Sequence, residues 1–155
     1  MEFTHFNDSG KPRMVDISGK KDTKRVAIAT GKIKVTPETI EQIKGMQIKK
    51  GDVLSVSQVA GIMGAKETSR LIPMTHNINL TGVDIRFDVK ESEIVITSEI
   101  KTFGKTGAEM EALTAVSLSA LTIYDMCKAI DKNMIISDIK LTEKTGGKSD
   151  FKETK

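Results

Sequence analysis

Asp125 and Lys128 stand three residues apart in a stretch, Ala112 to Ala129, that is otherwise small and apolar. On a helix that spacing puts a carboxylate and an ammonium on one face. Exposed, they form a weak surface ion pair, the reading that pattern alone favours. Buried, they form an acid/base couple with tuned pKa values. Glu109 and Glu111 flank Met110 upstream. Acids there stabilise the positive end of a helix dipole. A spacing of two sets them on different sides of a helix but on one side of an extended segment, and the boundary is open. His76, in Thr75-His76-Asn77, has no His or Cys at i+2 to i+4, so the ligand spacing of a metal site is missing. A solvated loop histidine is favoured, ahead of a group that moves a proton or bonds a ring substrate. His5 is equally open.

Two strings resemble phosphate loops: Gly104-Lys105-Thr106, between a strand and a helix, and Gly147-Lys148-Ser149. A full P-loop needs a glycine five residues before its second glycine. Glu99 and Thr142 hold those places, so a P-loop nucleotidase is disfavoured. Either connection can still offer backbone N–H groups and a lysine to an anion.

These residues must be held by elements that the patterning predicts. Residues 1–22 are polar and irregular and end in the basic cluster Lys20, Lys21, Lys24 and Arg25. Strand alternation follows over Arg25–Thr30 and Lys32–Val35. Thr36-Pro37-Glu38 starts a short helix that stops near Gly45. Asp52 caps a second, with Leu54, Val56, Val59, Ile62 and Met63 as its apolar side and Gly61, Gly64 and Ala65 open to close approach. Gly82–Val89 and Glu93–Ile100 read as a hairpin, with Val83, Ile85, Phe87 and Val89 on one face. The longest helix is predicted over Glu109–Lys132, then a strand over Met134–Thr142 and a flexible basic tail, residues 144–155. The order suggests an α+β, ferredoxin-like antiparallel sheet with helices packed on one face and one extra helix towards the N-terminus. The apolar 83–89 register and the small-residue helices lead us to expect burial by another subunit.

Composition bounds the rest. The chain has 155 residues, expected as one domain, 1–155. Apolar residues make up 38% and charged residues 29%, as in globular and unlike disordered chains. Cys127 is the only cysteine, which excludes an internal disulfide and a cysteine-based zinc site. With no Trp, one Tyr and five Phe, an RNA-stacking platform is disfavoured. A net charge of +3 permits an anionic partner without singling out nucleic acid. Met1–Gly10 lacks the apolar core of a signal peptide, and Ala112–Tyr124 is too short to span a bilayer, so no membrane association and a cytoplasmic location are expected.

One family ties these positions together. Phe3-Thr-His-Phe, Met14-Val-Asp-Ile-Ser, Lys50-Gly-Asp-Val-Leu, Ala60-Gly-Ile-Met, Leu71-Ile-Pro, Gly104-Lys-Thr-Gly-Ala-Glu-Met-Glu-Ala-Leu-Thr-Ala, Leu121-Thr-Ile-Tyr-Asp-Met-Cys-Lys-Ala and Lys144-Thr-Gly-Gly-Lys-Ser run in order through almost the whole chain. In these blocks it resembles the cyclic pyranopterin monophosphate synthases of molybdenum cofactor biosynthesis, the MoaC family.

The resemblance implies a lyase. It would convert (8S)-3′,8-cyclo-7,8-dihydroguanosine 5′-triphosphate to cyclic pyranopterin monophosphate and release diphosphate. It implies a homohexamer, a trimer of dimers, with the active site at a subunit interface. No tightly bound cofactor or metal is implied, although Mg2+ can accompany the triphosphate. The family's functional positions fall on Lys50, His76, Glu109, Glu111, Asp125, Lys128 and Lys144. Met74, Thr75 and His76 occupy a substrate-contact loop, and Met110 with Glu111 forms a second contact. Lysines would balance the triphosphate charge, and Glu109 or Glu111 would accept the N–H edge of the ring. Asp125, Lys128 and Lys50 are the expected catalytic set, with Lys128 as general acid. Lys50 and Lys144 are expected to gather with the Asp125–Lys128 couple around the same molecule.

One departure stands out. The family usually reads Leu-Cys-His-Pro where this chain reads Met74-Thr75-His76-Asn77. Covalent catalysis by a thiol at that place is thereby excluded, and Asn77 loosens the loop because the fixed φ of proline is lost. Gly64 and Ala108 are smaller departures. The changes at Thr75 and Asn77 are the only features that favour a competing class, a non-catalytic regulatory module that binds nucleotides between subunits.

Overall fold

A computed structural model describes residues 5–154. Phe3 and Thr4 of the first family block lie outside the described residues. Up to Asp22 the described chain is irregular, with one isolated bridge between Phe6 and Pro12. The elements that follow are β1 (Thr23–Lys34), α1 (Pro37–Lys44), α2 (Val53–Leu71), β2 (Leu80–Val89), β3 (Glu93–Gly104), α3 (Glu109–Cys127), β4 (Ile135–Thr145) and β5 (Phe151–Lys152).

The five strands form one sheet in the order β2-β3-β1-β4-β5, every pairing antiparallel. Without β5 this is the ferredoxin-like order, with α2 and α3 crossing one face. β1 and β3 carry the core on alternate positions: Ala27, Ala29 and Ile33 beside Ile94, Ile96 and Ile100 are buried beneath Ala112, Ala115, Val116 and Ile123 of α3. The added helix is α1, which follows β1 at the Thr36-Pro37 start signal. Thr36 caps it by accepting from the Thr39 N–H.

Three expectations change. The apolar register of β2 faces the protein's own helices, with Ile85 buried, so no second subunit is needed to cover it. On α2 the buried side is Val53, Ser57, Gly61, Gly64, Ala65 and Thr68, while Val56, Val59 and Met63 are exposed. Backbone contact selects the small side. A Cβ on Gly61 would collide with Ser119 Oγ, and one on Gly64 would come within 3.0 Å of Leu118, so α2 and α3 pack at glycine distance. Third, α3 stops at Cys127 and not at Lys132. The buried Asp131 carboxylate accepts from the Thr36 N–H at 2.8 Å and the Asn133 N–H at 3.0 Å, which draws the chain off the helix to cap α1.

The end of the chain also differs from a free tail. β4 continues through Lys144 and Thr145, and Phe151–Lys152 pairs back on Lys144 and Glu143.

Candidate active site

Chemistry-bearing side chains collect at both ends of α3. At its start, Glu109 is the first helical residue and Glu111 the third, so the two acids diverge around the axis. Lys144 Nζ, from β4, donates to Glu109 Oε1 at 3.1 Å. The side chains are 32% and 30% exposed, partly withdrawn from water. β1 and β4 pair with Val26 opposite Thr145 and Ala27 opposite Lys144. That register carries the basic cluster before β1 to the turn after β4. A cavity of about 470 Å³ opens there, lined by Lys20, Lys21, Arg25, Glu109, Lys144 and Lys148 among others.

A smaller cavity of about 290 Å³ shares Gly107 and Glu109 with it and is lined by His5, Thr75, His76, Met110 and Glu111. Glu111 is 4% exposed. Burial pushes its carboxyl up to about 7, opposed by its own backbone N–H and reinforced by the charge of Glu109. A group so placed can accept or give a proton near neutrality. His76 Nε2 lies 2.6 Å from the Val15 carbonyl oxygen. A carbonyl only accepts, so Nε2 carries the hydrogen and the ring pins the N-terminal segment. Thr75 Oγ1 donates to the Ile72 carbonyl at 2.8 Å and closes the turn after α2. Met74 is exposed beside it and does not line either cavity.

At the other end, Asp125 stands between two ammonium groups. Lys128 Nζ is 2.7 Å from Oδ1 and Lys50 Nζ is 2.7 Å from Oδ2. These hydrogen bonds, that of Lys128 first, hold the Asp125 carboxyl down at about 2. The same carboxylate raises Lys128. All three side chains are about half exposed in the single chain. Cys127 is buried, and desolvation pushes its thiol up to about 11, which removes it as a nucleophile.

The expected residues therefore form two groups. Lys50 joins Asp125 and Lys128; Lys144 joins Glu109. Glu109 and Asp125 are sixteen residues apart on one helix, about 24 Å at 1.5 Å per residue. Within one chain Lys144 does not join the Asp125–Lys128 couple. Sequence reasoning singled out Lys148 as a lysine that could meet an anion but missed Lys20, Lys21 and Arg25 as lining residues of the same cavity. The signal was the basic run before a strand that pairs antiparallel with the Lys144 strand.

The MoaC family model matches residues 14–147. The chain belongs to the MoaC family. It is 66% identical over 149 residues to the cyclic pyranopterin monophosphate synthase of Peptoclostridium acidaminophilum, covering 96% of this chain and 95% of that protein. It is 61% identical over 150 residues to the protein of the same name from Desulfitobacterium hafniense, covering 96% and 92%. The relative of that name from Syntrophomonas wolfei is 60% identical over 151 residues, 96% of each chain. The MoaC match spans both groups of side chains, from Lys50 through Asp125 to Lys144, and both cavities' walls except His5 and Lys148 and Ser149.

Proposed function

We propose that this chain is a cyclic pyranopterin monophosphate synthase of molybdenum cofactor biosynthesis. It takes (8S)-3′,8-cyclo-7,8-dihydroguanosine 5′-triphosphate to cyclic pyranopterin monophosphate and diphosphate. The observation that carries this reading is the pair of adjoining cavities: a cationic one sized for a phosphate chain and an acid-lined one for a ring with N–H donors, joined at Glu109. The substrate has the same two-part chemistry.

In this reading Lys144 and its basic neighbours neutralise the phosphates. Met110 and Glu111, with Thr75 and His76, hold the ring; Met74 shapes the loop. Glu109 spans the junction. Asp125, Lys128 and Lys50 supply proton transfer as the purine-derived ring opens and recloses and a sugar-derived hydroxyl displaces diphosphate from the α-phosphorus. Magnesium enters with the triphosphate as part of the substrate.

The separation of about 24 Å along α3 supports a division of proton transfer and substrate binding between the two ends of the helix. A complete site then needs a second copy, whose Asp125 end meets the Glu109 end of the first. The proposed assembly is a homohexamer, a trimer of dimers, with the site at a subunit interface. The exposed Val56, Val59 and Met63 of α2 support such burial. No helix among the described residues is long and apolar enough to cross a membrane, which supports a cytoplasmic location.

Incubation with the cyclic dihydroguanosine triphosphate tests the reading. Diphosphate and the tricyclic product are expected in equal amounts. Absence of both at enzyme concentrations matching the substrate would overturn it.

A further inference from the structure

Arg25 ties together the two loops that frame the larger cavity. Its Nε donates to the Gly104 carbonyl at 3.0 Å and its Nη2 to the Lys105 carbonyl at 3.1 Å. Both acceptors belong to the connection that leads into Glu109. Lys105 in turn donates from Nζ to the Ser18 carbonyl at 2.9 Å, so the same connection also holds the N-terminal segment. On its other side the guanidinium lies against the turn after β4. A Cβ on Gly147 would collide with Arg25 Nη1, and one on Gly146 with the Lys24 carbonyl. Both glycines have positive φ, +90° at Gly146 and +85° at Gly147. The turn is therefore pressed onto Arg25 by backbone that only glycine supplies without strain.

A guanidinium has five N–H donors in a fixed plane. Two are used on carbonyls, and the residue also lines the cavity, together with Lys20, Lys21, Lys144 and Lys148. The lysines are flexible point charges, whereas Arg25 is held in a plane by two loops. We propose that Arg25 is the positioning residue of the phosphate seat: it locks the Gly104–Lys105 connection to the Gly146–Gly147 turn and so fixes where Glu109 and Lys148 stand around a bound polyphosphate. This deepens the proposed function and rests on it for the identity of the substrate, but not for the binding of a polyphosphate.

Two variants separate geometry from charge. Arg25→Lys keeps the charge and loses the two-point anchor. Gly147→Ala keeps Arg25 and displaces its guanidinium. Each is expected to raise KM for the cyclic triphosphate by about tenfold, with kcat within about threefold of wild type, because the lost contacts serve binding more than the reacting atoms. Inorganic tripolyphosphate, followed by calorimetry on the same proteins, is expected to bind wild type and to weaken about tenfold in both variants. A merely structural role would lower the melting midpoint and the active fraction and leave KM and tripolyphosphate affinity unchanged in the folded fraction. That result, or a wild type that does not bind tripolyphosphate, overturns the proposal. Tripolyphosphate binding that depends on Arg25 in a protein without turnover would sink the proposed reaction and leave the positioning role standing.

Discussion

Lys50 Nζ donates to both the carboxylate and the main-chain carbonyl of Asp125, at 2.7 Å and 2.9 Å, from a loop 75 residues earlier. One lysine thus caps the last turn of α3 and neutralises its aspartate. With Lys128 on the other oxygen, Asp125 stays ionised down to about pH 2, and Lys128 holds its proton more tightly than a free lysine. A carboxylate held that low is a weak proton acceptor, so in the single chain Asp125 is an anchor for two ammonium groups. In the proposed reaction both groups can move protons only once a substrate or a second copy competes for these contacts.

Loss of any member should stop the chemistry while the fold stays intact. Lys50→Ala, Asp125→Ala and Lys128→Ala are each expected to lower kcat by about 10²-fold or more, the usual worth of a positioned acid or base. The groups are half exposed, so the melting midpoint and the oligomer should remain near wild type. Single-turnover diphosphate release, with sedimentation on the same samples, measures both. Near-normal turnover in Asp125→Ala or Lys128→Ala would falsify the assignment of roles.

The length of α3 makes a second prediction. If the two ends of the helix serve different sites in one assembly, two dead variants can repair each other. Asp125→Ala and Lys144→Ala, co-expressed in equal amounts with different tags, should give mixed assemblies with about a quarter of wild-type activity. Only interfaces with an intact Asp125 end from one copy and an intact Lys144 end from the other are complete. Activity no higher than the two separate variants would show that each site belongs to one chain.

The sheet was legible because its cues are local. Alternation in Gly82–Val89 and Glu93–Ile100, Thr36-Pro37 before α1, and Asp52 before α2 each identify an element from a few residues. What escaped depends on distant partners. The α3 terminus is decided by Asp131 reaching Thr36, 95 residues away. The buried side of α2 is decided by Ser119 and Leu118 against Gly61 and Gly64, and hydropathy alone points to Val56, Val59 and Met63. The tail looked free because β5 is two residues long and its pairing with β4 has no pattern of its own. At the site, residue types identified Asp125 with Lys128 through their helical spacing. That Lys20, Lys21 and Arg25 share a wall with Lys148 needed the β1–β4 register.

Thr75 offers a test of the family departure. Its hydroxyl closes a turn onto Ile72, and the next residue lines the acid-walled cavity. Thr75→Val removes the hydroxyl bond to the Ile72 carbonyl, which keeps only the backbone N–H of position 75 at 3.2 Å, and should cost about 1 kcal/mol of stability. It should raise KM more than it lowers kcat, because it loosens the loop that carries His76. Thr75→Cys restores a weak donor of similar size, so steady-state rates within about threefold of wild type are expected. A large gain in kcat for the thiol would mean that the position takes part in covalent chemistry after all.

Glu111 predicts a pH dependence with a definite sign. Its folded pKa of about 7 lies above the ordinary value of 4.5, so the folded state holds a proton that the unfolded chain has already lost. Stability must therefore fall as pH rises from about 4.5 to about 7 and level off above, the reverse of a salt-bridged carboxylate. For a side chain 4% exposed, that difference corresponds to about 3 kcal/mol. Glu111→Gln carries no charge at any pH and removes the slope. Melting midpoints of the two proteins should converge at pH 5 and separate at pH 8, with the glutamine variant higher. A wild-type curve parallel to that of Glu111→Gln across this range would mean that the carboxylate is already ionised in the fold and is neutralised by a cation, which would move Glu111 from proton carrier to fixed charge.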